Sequence, residues 1–314
     1  TLGAALGAFL THRWRAWTLP SPLGARWLTA AAAGAWMAAL ALTGVGLRWA
    51  SPPPPYLLNQ LRDPARGLVP FDGEVLSATV AGVPTSTRRL ERPVAPAGPG
   101  DTLVLRARLR SWYPPGALRP VIWSFTPEWE EMFVFGQRGG SLAFRLRTLS
   151  SDIRLSSPTW ILPDAIPTRG DTVEIVAEVM RDAVRLRSVS AGGGVREARF
   201  GKRLSLGWTI LAPPSSVLPW PALVSALWLG ALVLPLAYWG VQVRGRRWDG
   251  VAPAAVALFA AASVALIGRS LGLAPLDALD WGGVAVGVGA GWGLARLTGR
   301  AGGRREELGL GRAA

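Results

Sequence analysis

Residues 27–47 carry no charged side chain. An apolar run of about 20 residues matches the ~30 Å hydrocarbon core of a bilayer, where a helix satisfies all of its own backbone groups. The run is therefore predicted to be a transmembrane helix. Arg48 stands where a small residue would be wanted before a cut after Ala50, which favours a permanent anchor over a cleaved signal peptide. Three further apolar stretches follow at 217–243, 251–273 and 281–297. The first is interrupted by Pro219, Pro221 and Pro235, the last of which should kink it. The second has Arg269 close enough to its end to snorkel, and the third is short and rich in glycine.

Half of the 314 residues are hydrophobic and the mean hydropathy is +0.27, yet the formal net charge is +14. Helices must hold the apolar residues, while loops and a soluble domain hold the charge. Lys202 is the only lysine, so nearly all positive charge is arginine, in an Ala-, Gly- and Pro-rich composition typical of a GC-rich bacterial genome. Arginine also sets the orientation. Arg13, Arg15 and Arg26 precede the first span, Arg244, Arg246 and Arg247 separate the second from the third, and Arg296, Arg300, Arg304 and Arg305 follow the fourth. If all four segments cross, these clusters share one side. The positive-inside rule puts that side, the segment 1–26 and the basic tail 298–314 in the cytoplasm of the bacterial inner membrane, and residues 51–216 in the periplasm. Within 1–26, Thr1 to Leu10 reads as the end of a truncated helix, with an interfacial helix as the alternative.

The periplasmic region opens with Ser51 and four prolines, a semi-rigid stalk. Short alternating runs follow at 102–110, 121–125, 132–135, 142–148, 172–180 and 184–189, punctuated by Pro, Gly and Asp, with a hairpin turn near Gly139-Gly140. The pattern predicts an antiparallel β-sandwich of jelly-roll type. Leu105, Leu109, Phe144, Leu146 and Leu186 fall on its inner side.

Asn59 through Gly67, Phe71-Asp72-Gly73, Ser77, Leu103 to Trp112, Val121 to Phe125, Phe133-Val134-Phe135-Gly136-Gln137 and Phe144-Arg145-Leu146-Arg147-Thr148 together resemble a concanavalin A-like, laminin-G type lectin domain. Such domains occur in bacterial membrane proteins beside a VanZ-like helical region. The resemblance covers residues 59–211. Asp277, Asp280 and the Gly-rich helix after them look like the terminal VanZ-like helix, and Thr1 to Gly7 look like the same element, although the family's polar helix motif is missing. The resemblance implies a multi-pass α-helical membrane protein with an inserted all-β concanavalin A-like domain outside the cytoplasm.

Catalytic signatures are sparse. The chain has no cysteine, which excludes disulfides, thiolate metal sites and cysteine nucleophiles. His12 is its one histidine, a solvated loop residue beside Arg13 that leaves no His-based metal site or Ser-His-Asp triad. Some concanavalin-like folds are glycosidases with paired carboxylates, and Glu128 and Glu130 have that spacing if extended. After Pro127, however, the stretch through Glu131 reads as an exposed loop. The acidic residues are scattered and Asn59 is the sole asparagine, so no bound calcium and no sugar pocket are expected. No metal and no cofactor are assigned.

Arginine gives the stronger pattern. Arg106, Arg108 and Arg110 alternate with Leu105, Ala107 and Leu109, and Arg145 with Arg147 and Arg185 with Arg187 repeat the spacing. On one sheet they would form a lattice for phosphate or carboxylate groups: lipid headgroups, an anionic glycan or an acidic protein. The same residues also suit the wet face of a half-buried sheet. Nucleic acid is excluded as a partner by location and the lack of a motif. Gly283, Gly287 and Gly291 recur every four residues, a surface for close helix approach by a partner or by the chain's own third span. Contacts are expected on the arginine face, the loop 112–119 and the Gly283 to Gly291 face. The function class this favours is non-catalytic: a lectin-like domain bracing membrane protein partners as an accessory subunit of a respiratory or photosynthetic complex. A free-standing glycan- or lipid-binding protein is the alternative, and an envelope-lipid enzyme or transporter a third reading.

A reporter fused after Arg305 is expected to be active in the cytoplasm and one inserted near Gly98 to be active outside it. Both reporting from one side would contradict four crossings.

Overall fold

The computed structural model describes residues 21–59, 71, 73–96, 98, 100–110, 118–167, 170–211, 220–244 and 251–307. His12, the segment 1–20, residues 111–117 of the expected contact loop, and Arg246 with Arg247 lie outside the described residues. The chain divides into a helical unit and a β-rich unit.

Among the described residues, twelve strands make two six-stranded antiparallel sheets. In chain order they are β1 (Tyr56–Leu58), β2 (Glu74–Val80), β3 (Val83–Pro84), β4 (Arg89–Leu90), β5 (Leu103–Arg110), β6 (Arg119–Phe125), β7 (Glu131–Arg138), β8 (Ser141–Leu146), β9 (Thr159–Leu162), β10 (Thr172–Val179), β11 (Ala183–Ser190) and β12 (Val195–Gly201). The first sheet has the order β4-β1-β6-β7-β8-β9 and the second β12-β11-β10-β5-β2-β3. One hydrophobic cluster joins them, with Ile122, Phe133, Phe135 and Phe144 from the first meeting Leu105, Leu109, Ile175 and Leu186 from the second. This is the packing of a β-sandwich. All five residues expected inside, Leu105, Leu109, Phe144, Leu146 and Leu186, are fully buried.

The hairpin at Gly139-Gly140 joins β7 to β8, with Arg138 opposite Ser141 and Gly139 at φ +57°, a conformation that favours glycine. Asn59, at φ +47°, ties β1 to β6: its side-chain oxygen accepts from Trp123 N at 3.0 Å and its amide donates to Val121 O at 3.4 Å.

The long helices are α1 (Pro22–Gly46), α3 (Pro221–Arg244), α4 (Val251–Ser270) and α5 (Ala278–Glu307), with a five-residue α2 at Gly207–Leu211. Three of them, Leu23–Gly46, Pro221–Val243 and Val251–Ser270, are long and apolar enough to cross a membrane. The expected fourth span lies within α5, whose run of glycines and arginines lowers its hydropathy below theirs. Within the helical unit, Trp36 Nε1 of α1 donates to Ser263 Oγ of α4 at 2.7 Å. Asp277 and Asp280 exchange backbone and side chain at the start of α5, where Asp280 N donates to Asp277 Oδ1 at 2.9 Å and Asp277 N to Asp280 Oδ2 at 3.3 Å. This is a capping arrangement that occupies two otherwise unpaired N–H groups.

Phe144 packs between Phe135, edge-on at 6.1 Å, and Trp160, stacked at 6.2 Å. Phe144→Ala is expected to destabilise the β-rich unit by about 3–5 kcal/mol, read as a lowered denaturant midpoint with unchanged slope. A loss below about 1 kcal/mol would contradict the packing.

Candidate functional site

The second sheet presents a charged outer face. Strand β5 alternates buried Leu105, Ala107 and Leu109 with exposed Arg106, Arg108 and Arg110. Register places Arg108 opposite Glu174, Glu178 opposite Arg185, and Arg187 opposite Glu197, so acids and bases share this face. Arg106 pairs with Glu174 at 3.3 Å, Arg110 with Glu74 at 3.0 Å, and Arg185 with Glu197 at 2.7 Å and Glu178 at 3.4 Å. Arg187 reaches Glu197 at 3.9 Å. The carboxylate of Glu197 holds the Arg185 guanidinium above its ordinary pKa. Exposed pairs of this kind are screened by solvent and add little to the stability of a fold. Arg108 has no ion pair among the described residues.

Arg145 and Arg147 belong to the other sheet, or to the residue just beyond it, so the seven arginines do not form one lattice. β8 follows β7 in the first sheet through its hairpin, whereas β5 and β11 flank β10 in the second. Arg145 makes a two-point contact with Glu131, Nε to Oε1 at 2.6 Å and Nη2 to Oε2 at 2.8 Å. Arg147 Nη2 lies 2.8 Å from Glu130 and 2.9 Å from Asp152. Glu130 and Glu131 are thus held by arginines. Residues 126–130 form a turn closed by Thr126 N donating to Glu130 O at 2.9 Å, with Glu128 exposed upon it.

A second polar site, missed by reading the sequence, lies wholly in the β-rich unit. Lys202, just after β12, is buried with only 2% of its surface exposed. Its Nζ donates to Leu47 O at 3.4 Å, beyond the end of α1, and sits 3.7 Å above the Trp49 ring. Lys202 backbone is fixed on both sides, its N–H donating to Asp182 O at 2.7 Å and its carbonyl accepting from Ala274 N at 2.8 Å. Beside it opens a cleft of about 260 Å³ whose lining includes Arg48, Trp49, Ser51, Arg181 and Leu271. The Arg181 guanidinium lies against Gly272, at φ +65°, where a Cβ would meet its Nε at 2.6 Å. Burial pushes the Lys202 amine down to about 7; Asp182 opposes the shift, and Arg181 and Arg48 add to it.

The glycine stripe packs against the chain's own second apolar helix, α3, in place of the third that the sequence suggested. A Cβ on Gly283 would strike Ala226 O, and one on Gly287 would strike Gly230 O and stand 2.7 Å from Val233 Cγ1. A Cβ on Gly291 would stand 2.5 Å from Leu234 O. Contacts therefore advance along both helices together, and α3 and α5 run parallel. Backbones this close require residues without a side chain.

No group of His, Cys, Asp and Glu among the described residues is arranged to hold a metal. No family model matches the chain, and no curated protein or solved structure matches it. The resemblance to laminin-G and VanZ-like proteins stands on the sequence motifs alone.

Gly287→Leu is expected to force α3 and α5 apart and lower the melting temperature in detergent by several degrees, as overpacking costs about 1–3 kcal/mol or more. Gly289, with nothing within 4 Å of its would-be Cβ, is the control. Equal effects of Leu at both positions would contradict the assigned face.

Proposed function

We propose that this chain is a non-catalytic, multi-pass protein of the bacterial inner membrane. It displays a jelly-roll domain of concanavalin A-like type on the periplasmic side and braces a protein partner there, as an accessory subunit of a larger membrane complex. The observation that carries the reading is the outer face of the second sheet. Arg106, Arg108, Arg110, Arg185, Arg187 and Arg199 stand there against Glu74, Glu174, Glu178 and Glu197, a cationic excess on a rigid, exposed surface. A charged face of this kind selects and orients an acidic partner more than it adds affinity. Ion pairs within it engage Arg106, Arg110, Arg185, Arg187 and Arg199, which reduces the entropy those side chains would lose on docking.

The four-span topology is part of the same proposal. Among the described residues three helices are long and apolar enough to cross, and α5 runs parallel to α3 against Ala226, Gly230 and Leu234. A helix parallel to the second span fits a fourth crossing in the same direction, with the third span returning between them. The arginines at and just beyond the C-terminal end of α3, and those in the C-terminal half of α5, then fall on one side.

Reversing two charges, Arg108→Glu with Arg187→Glu, is expected to strip co-purifying protein from the chain in mild detergent while leaving its melting temperature within about 1–2 °C, since exposed pairs contribute little stability. An unchanged set of co-purifying proteins would contradict the bracing role. Calcium-dependent glycan binding in a calorimetric titration would replace it with a true lectin.

A further inference from the structure

We propose that the cleft framed by Arg48, Arg181 and Lys202 is a binding site for a phosphate ester, placed to take the headgroup phosphate of a membrane lipid. Three cationic side chains line one cleft of about 260 Å³, and no carboxylate is among its lining residues. Asp182 is the acid that acts on Lys202, and its carboxylate is engaged by Arg199 at 3.3 Å. Arg48 and Arg181 have no ion pair among the described residues. The hydrogen bond to Leu47 O accounts for the Lys202 amine. It does not account for two arginines converging on the same space.

Like charges gathered in a partly buried cleft repel one another, and an anion bound among them removes that cost. Guanidinium groups match two oxygens of a phosphate at once, and a lysine supplies a third, point-like contact. Ser51 adds a hydroxyl to the lining, and Trp49 and Leu271 add apolar surface suited to the first carbons of a glycerol ester. The position along the chain favours a lipid. Arg48 comes two residues after the end of α1 at Gly46, and Leu271 directly after the end of α4 at Ser270. Both helices are long and apolar enough to span, so these residues follow where a chain leaves the hydrocarbon and lipid phosphates lie. The inference does not rest on the bracing role of the outer sheet.

Lys202 is the sole lysine, so labelling the intact chain with lysine enriched in carbon-13 gives one side-chain Cε signal that reports the amine. The chain is titrated with pH in phosphate-free maltoside micelles, alone and with inorganic phosphate, short-chain phosphatidylglycerol or uncharged diacylglycerol. Alone, the midpoint is expected at about 7. Phosphatidylglycerol is expected to raise it by about one to three units, the effect of an opposite charge at close range, and diacylglycerol to leave it in place. A rise with phosphatidylglycerol but not phosphate identifies a lipid headgroup, and a rise with both identifies a general phosphate site. Arg181→Gln is expected to weaken the response. No movement of the wild-type midpoint with either phosphate compound, or an equal movement with diacylglycerol, overturns the proposal without reliance on any variant.

Discussion

Trp49 ties together segments of the β-rich unit that are far apart in the chain. It forms an isolated bridge with Thr148, and its Nε1 donates to Met180 O at 2.9 Å beyond the end of β10. Its ring meets Trp160 of β9 edge-on at 5.4 Å, and the Lys202 amine sits over it. One side chain three residues past α1 thus touches segments belonging to both sheets. An indole suits this position because its large apolar body packs into the core while its single donor satisfies a backbone carbonyl. The neighbouring backbone follows, with Ala50 N donating to Arg147 O at 3.0 Å and Leu149 N to Arg48 O at 2.9 Å.

From that anchor the charges of the β-rich unit separate into two kinds. On the outer face of the second sheet, arginines and glutamates interleave and pair with one another. In the cleft beside Trp49, Arg48, Arg181 and Lys202 converge with no carboxylate among the lining residues. We read the first arrangement as the proposed protein-docking face and the second as the proposed anion site. Glycine plays the corresponding part in the helical unit, where the absence of side chains at Gly283, Gly287 and Gly291 lets α5 lie directly on the carbonyls of α3.

Alternation made the centre of the β-rich unit legible in the sequence. Strands β5, β10 and β11 bury one face along most of their length, so their apolar residues recur largely at period two, whereas β7 and β8 are buried on both faces over residues 132–137 and 142–144 and read as continuous apolar runs. β12 was not legible because its residues are mostly exposed and it closes a sheet edge. β2 was hidden by a register shift between Val75 and Ser77, which breaks the alternation. The arginine spacing was visible on each strand, but which strands share a sheet depends on long-range pairing, and Arg145 with Arg147 fell elsewhere. The glycine spacing announced a close helix contact without naming its partner. The cleft left no local signal, since Arg48, Arg181 and Lys202 are far apart in the chain and meet only through the fold.

Hydrogen–deuterium exchange of the intact protein in detergent, wild type against Trp49→Ala, tests the anchor most directly. If Trp49 holds these segments together, the amides of Ala50, Leu149, Lys202 and Ala274 lose protection as a group while Phe133 and Phe135, deep in the first sheet, keep theirs. Loss confined to Ala50 and Leu149, with Lys202 and Ala274 still protected, would contradict the account.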